Sequence, residues 1–246
     1  MNTCILSGTT VRLVLAVATV AASLVSPLAK AQSAVQPRAP GIESPGYVWN
    51  VVENEELRAL RMGASPQRGA ETYRICHGCH RAGAVGSTDG VYPRIAGQHD
   101  TFLIKQLVDI RAGRRDNAKM YPFANEHAIS TQDIADLAAW LNVQPSPPDN
   151  GTGDGKQLAR GETLFAKDCA ACHGRRGEGQ AEMFYPRVGR QHFGYLFQES
   201  RDIRDGKRRN ANPKMVEAIK PYADADLSAV ADYMSRLSGE AAAPSR

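Results

Sequence analysis

Four cysteines of this chain fall in two matching frames. Cys76-His77-Gly78-Cys79-His80 and Cys169-Ala170-Ala171-Cys172-His173 both read C-x-x-C-H. Two thiols two residues apart reach, from one helical turn, the two vinyl groups of a single porphyrin, and the thioethers that form hold it covalently. The histidine that follows is then carried beneath the iron, where its imidazole serves as proximal ligand. The spacing implies two covalently bound haem c groups, one on Cys76, Cys79 and His80, the other on Cys169, Cys172 and His173. Competing chemistries fit less well. A redox-active C-x-x-C needs a strand running into a helix, and no alternating strand pattern precedes either pair. A zinc site would leave a histidine directly after each second cysteine, twice, without a reason. Disulfides would close tight four-residue loops.

Each iron needs a sixth ligand, and methionine sulfur is the soft donor that raises a haem potential. Met120 lies 40 residues after His80 and Met215 lies 42 after His173, both in apparent loops ahead of the last helix of their repeat. Met62 precedes the first motif, Met183 follows His173 by only 10 residues, and Met234 stands where the first copy has Leu141, a core position. Met120 and Met215 are therefore the expected metal ligands with His80 and His173, and His127 is the fallback for the first haem. His99 and His192 share a register and read as helix-start hydrogen-bonding groups.

The two motifs sit in a long internal repeat with a constant offset of 93 residues. Tyr92-Pro93-Arg94 matches Tyr185-Pro186-Arg187, Gln98-His99 matches Gln191-His192, Asp109-Ile110-Arg111 matches Asp202-Ile203-Arg204, and Trp140 matches Tyr233. A register held this far means two copies of one fold. It slips in two places. Gly69 precedes Cys76 by seven residues while Gly161 precedes Cys169 by eight, and Met120 falls on Pro213 while Met215 falls on Pro122. Within each copy the apolar spacing is helical: 66–79 and 158–172 run into the haem motifs, 99–112 carries a second helix, Ser130 with Asp133 starts a third through Asn142, and Asp224 caps its equivalent over 225–237. The expected fold is all-α, two tandem domains related by the repeat, over 65–143 and 157–240. The Pro/Gly-rich stretch 144–156 reads as a linker. Residues 32–64 form an N-terminal extension, disordered over 32–46 and helix-forming over 50–62.

The first 31 residues carry Arg12, an apolar run from Leu13 to Val25 and an Ala29-Lys30-Ala31 exit, the pattern of a cleaved signal peptide. The rival reading, a membrane anchor, meets an apolar run shorter than the ~20 residues a span needs. The protein is then exported, periplasmic, and without a transmembrane anchor once the signal is removed. The formal charge of +4 over 246 residues falls by two with Arg12 and Lys30 and excludes a nucleic-acid partner on its weak basic excess. Arg111, Arg114, Arg115 and Lys119 cluster beside Met120, and Arg204, Lys207, Arg208, Arg209 and Lys214 beside Met215. They read as a solvated loop surface near haem propionates, or as a docking patch for an acidic partner.

The region 66–238 resembles the dihaem cytochrome c4 family. The resemblance rests on both C-x-x-C-H motifs, on Pro-Arg-Ile-Ala-Gly-Gln-His at 93–99 with its echo at 186–192, and on the loops ending in Met120 and Met215. It implies two tandem all-helical class I cytochrome c domains, histidine–methionine ligation and electron relay between redox proteins, with donor and acceptor such as a periplasmic dehydrogenase or a membrane oxidase. It also implies that Gly69 and Tyr73 pack on Trp140, that Gly161 and Phe165 pack on Tyr233, and that the carbonyl regions of Pro93 and Pro186 accept the proximal histidine N–H. The expected function is electron transfer, not catalysis. The alternatives are a cytochrome subunit of a periplasmic dehydrogenase and a dihaem enzyme with an open iron site.

Overall fold

The computed structural model describes Met1 and residues 35–50 and 54–240. Apart from Met1, the proposed signal peptide lies outside these. Among the described residues every regular element is helical, and the only strand-like pairing is an isolated bridge between Gln180 and Tyr185. The order is α1 (Asn54–Arg61), α2 (Pro66–Thr72), α3 (His77–His80), α4 (Asp100–Ala112), α5 (Tyr121–Ala124), α6 (Thr131–Asn142), α7 (Leu158–Leu164), α8 (Ala170–His173), α9 (Phe193–Arg204), α10 (Pro213–Ile219) and α11 (Asp224–Arg236). No helix among the described residues is long and apolar enough to cross a membrane.

Each repeat builds its own core around a crossing of its first and last long helices. Gly69 of α2 lies so close to α6 that a Cβ there would stand 2.1 Å from the Asp136 carbonyl oxygen, and Gly161 of α7 stands in the same relation to Ala229 of α11 at 2.2 Å. The missing side chains let the backbones touch, and the aromatics beside them complete the contact: Tyr73 on Trp140 with centroids 4.6 Å apart, Phe165 on Tyr233 at 5.6 Å. Ser130 and Asp133 form the reciprocal N-terminal cap of α6 that their spacing foretells. In α11 the capping acid is not Asp224 but Asp226, which accepts from the Ala223 N–H at 3.2 Å. Asp224 instead pairs with Arg204.

The helices expected to run unbroken into the haem motifs change pitch on the way. In the first copy α2 tightens to a 3₁₀ turn over Tyr73–Ile75, whereas in the second α7 widens to a π turn over Phe165–Cys169. The residue gained between Gly161 and Cys169 is absorbed here. A π turn takes one more residue than an α turn, so both ends keep their facing. Met120 and Met215 lie not in open loops but at short helices. Met120 is the N-cap of α5 and Met215 sits in the first turns of α10. Each helix has a proline at its start, Pro122 and Pro213; Met120 precedes the first by two residues and Met215 follows the second by two.

The extension is tied down over 36–50, contrary to the disorder expected over 32–46, of which residues 32–34 lie outside the described residues. Gln36 donates to the carbonyls of Ile110 and Arg115, both at 2.8 Å, and the Ile42 N–H donates to Arg209 O at 2.7 Å. These partners belong to different repeats, and long-range hydrogen bonds replace the core that a polar segment lacks. The amphipathic helix α1 covers one side of the first domain, as its composition suggests, burying Ala59 against α4 and α6. Residues 144–156 form no helix or strand, yet they are held to the second domain: the N–H groups of Gly153 and Gly155 donate to the Asp232 carboxylate at 2.9 and 2.8 Å.

The two domains meet across a pseudo-two-fold interface written in the repeat itself. Gln98 bonds the backbone N–H and carbonyl of Arg187 at 2.8 and 2.9 Å, and Gln191 does the same to Arg94 at 2.9 and 2.7 Å. His99 Nε2 meets Glu178 O at 2.8 Å and His192 Nε2 meets Val85 O at 2.7 Å. Because residue i of one copy binds residue j of the other and the reverse also holds, the arrangement is isologous. Neither histidine side chain caps its own helix, so their shared register marks an interface and not helix starts. His192 Nδ1 accepts from the Gly151 N–H at 3.1 Å, which leaves the proton on Nε2.

Candidate haem sites

Residues 76–80 and 169–173 turn each cysteine pair and its histidine around a single helical turn, α3 and α8. The four cysteines are half-buried and none is joined in a disulfide. His80 and His173 are buried, and in both sites Nδ1 lies 3.0 Å from a proline carbonyl, Pro93 in the first and Pro186 in the second. The carbonyl can only accept, so Nδ1 carries the proton and the lone pair is left on Nε2. Burial holds both imidazoles below the ordinary histidine range and therefore neutral. A neutral ring, oriented by a bond from its far nitrogen, is how a protein presents a metal-ligating histidine.

The residues present suit a haem in each domain. Two thiols at thioether spacing and an oriented neutral imidazole recur with the same 3.0 Å contact. Between the domains, buried guanidinium nitrogens of Arg94 and Arg187 lack a hydrogen-bond partner, donors left for anionic groups such as propionates. Among the other sequence candidates, Met234 is buried in the second core, Met183 is exposed and His127 is exposed. Met215 packs against the second core, and Met120 is half-buried at the tip of α5.

Most of the basic clusters are not a docking patch. Arg111 is tied to Glu55 and to the carbonyls of Ala124 and Ile129. Arg115 and Arg208 share Glu199 at 2.8 and 2.7 Å, and Arg114 pairs with Asp109 at 2.5 Å. Arg209, 5 % exposed, bonds Glu43, Asp116 and Gly113 O. Burial works to raise the Glu199 carboxyl, but Arg115 and Arg208 outweigh it and hold it below the usual range. These charges knit the two domains and the extension together. Lys119, Lys207 and Lys214 alone of the nine cations are exposed. Like charges bunched in sequence carry no hint of carboxylates arriving from another domain.

Comparison with known proteins agrees with this geometry. The cytochrome c family profile matches residues 66–144 and again 158–238. A cytochrome c4 of Thiocapsa roseopersicina is 34 % identical over 198 residues, spanning 76 % of this chain and 99 % of that protein. The chain belongs to the cytochrome c4 family. A thiosulfate dehydrogenase electron acceptor of Stutzerimonas stutzeri is 34 % identical over 185 residues, 71 % of this chain and 82 % of the relative. The crystal structure of reduced recombinant cytochrome c4 from Pseudomonas stutzeri superposes with a TM-score of 0.63 at 26 % identity, covering 71 % of this chain and all of that one. As a cytochrome c4, the protein carries two covalent haem c groups, one in each matched domain, and is a dihaem electron carrier. The Gln98 and Gln191 interface pairs are the site-supporting residues that motif reading passes over. Their signal was the register of the repeat.

Proposed function

We propose that this cytochrome c4 is an exported, periplasmic carrier that accepts electrons from a dehydrogenase and passes them to a second redox protein. Haem attachment falls to Cys76 and Cys79 in the first domain and to Cys169 and Cys172 in the second. His80 and His173 are the proximal ligands, Met120 and Met215 the distal ones. The observation that carries this reading is the matched Nδ1-to-proline contact of His80 and His173 at 3.0 Å, which leaves the Nε2 lone pair of each free to bind a metal directly after a cysteine pair. When bound, haem iron supplies a one-electron ferrous–ferric couple whose potential a methionine ligand raises. The chain's part is to hold each imidazole in one tautomer, keep water from it, and fix the two sites relative to each other through Gln98, Gln191 and the Arg115–Glu199–Arg208 network. A methionine available in each domain speaks against an open, catalytic iron. The relative named as a thiosulfate dehydrogenase electron acceptor supports a thiosulfate-oxidising dehydrogenase as donor.

Spectroelectrochemical titration of holoprotein from its host tests this. Two low-spin c haems are expected, each with a methionine–iron charge-transfer band in the ferric state. Met120→Ala and Met215→Ala are expected to remove one band each. A high-spin centre in the wild type, or reaction with peroxide, would replace the carrier with an enzyme.

A further inference from the structure

The repeat breaks its own symmetry beside the second haem site. Tyr92 and Tyr185 hold the same register, each directly before the proline that receives the proximal histidine. Only Tyr185 carries an aromatic cover among the described residues. Trp49 of the extension stacks on it with centroids 5.7 Å apart and planes 21° apart, and meets Phe184 edge-on at 6.5 Å. From the first domain, Lys105 Nζ stands 5.5 Å from the Trp49 ring centroid. Trp49 therefore closes a stack whose outer member belongs to one domain and whose inner members belong to the other.

Tyr185 lies against the proximal side of the second site. Its ring lies 6.5 Å from that of His173. Its backbone pairs with Gln180, whose side-chain amide donates to the carbonyls of Ala171 and Cys172 at 3.1 Å. The tyrosine thus braces the turn that carries Cys172 and His173. The segment that delivers Trp49 is pinned by Gln36 to the first domain and by Ile42 and Glu43 to Arg209 of the second. It lies ahead of both segments that match the cytochrome c family.

We propose that Trp49 is a positioning residue for the second haem: stacked on Tyr185, it holds the Cys172–His173 turn in place and dries that edge, which sets the second haem's potential above the value its own domain would give. Burial disfavours the ferric state, the one with the additional positive charge, so removing the cover lowers the potential. The proposal rests on His173 and Met215 being the second haem's ligands.

The test is spectroelectrochemistry of wild-type, Trp49→Ala and Trp49→Phe holoprotein, with the Met120 and Met215 methyl resonances followed in the reduced state. In Trp49→Ala the oxidised-to-reduced ratio of one haem at fixed potential rises about threefold, roughly 28 mV at ~59 mV per tenfold. The Met215 resonance shifts, that of Met120 stays, and Trp49→Phe restores most of the loss by stacking alone. Should Trp49→Ala not fold, Trp49→Leu, which fills the space without a ring to stack, gives the same readout. A wild type with two histidine–methionine couples whose Trp49 variants leave both potentials in place, or lower both together, overturns the proposal alone. A wild type without those couples overturns the ligand reading beneath it.

Discussion

Arg81 does in the first repeat what Gly174 does in the second. Both follow the proximal histidine directly, and both take a positive φ, 63° and 76°, to turn the chain out of the haem motif. Glycine enters this region without a steric penalty, while a residue with a Cβ is strained there by about 1–3 kcal/mol. Arg81→Gly is therefore expected to raise the thermal stability of the first domain by about 1 kcal/mol, the relief exceeding the entropy added to the unfolded chain. Calorimetry of the holoprotein checks it, and a fall in melting temperature would show that the Arg81 side chain holds more than its backbone costs. At this scale the sequence was informative wherever chemistry demanded a residue type. The cysteines, the histidines and the two glycines at helix crossings could be read because each is nearly the only residue able to do its work. Arg81 could not, since nothing in its type announces a positive φ.

Among the elements, the π turn at Phe165–Cys169 shows how one inserted residue is accommodated without moving a site. The insertion is visible in sequence as a broken register, but sequence cannot say whether a bulge, a loop or a shifted helix takes it up. The helix crossing decides that. Gly161 and Phe165 are locked against α11 and Cys169 against the haem turn, so the slack must lie between them. A side chain at the crossing has nowhere to go, with a Cβ 2.2 Å from the Ala229 carbonyl. Gly161→Ala is expected to cost about 1–3 kcal/mol, the usual range for overpacking. Urea unfolding monitored at the haem band of the second domain measures it, and an unchanged midpoint would mean that α7 and α11 can separate freely.

The whole molecule is held by groups that must keep one protonation state. His99 and His192 sit between the domains with their pKa lowered by burial, each neutral and donating to a carbonyl of the other domain. The unfolded chain binds protons at these histidines more readily than the folded one. Their contribution is therefore complete above the unfolded value of about 6.5 and is lost as pH falls toward the lowered folded values. Glu199, held low between Arg115 and Arg208, contributes above the unfolded carboxylate value of about 4.3 and loses that contribution as pH falls below it. Two successive losses of stability on acidification are expected in thermal melts of the holoprotein. The His99→Gln, His192→Gln double variant is expected to flatten the upper one and Glu199→Gln the lower. A single decline untouched by either variant would place the acid-sensitive groups elsewhere.

Haem number, helical class and the two-domain plan were determined by the sequence alone. Covalent attachment and a repeated fold impose residue types at set spacings, and those survive in one dimension. Where the arginines beside Met120 and Met215 point, what His99 and His192 bind, and that residues 36–50 strap both domains were decided only in the tertiary structure. Each of these depends on partners from distant parts of the chain, such as Glu199 for Arg115 and Arg209 for Glu43, and local composition carries no record of which partner folding will bring within bonding distance.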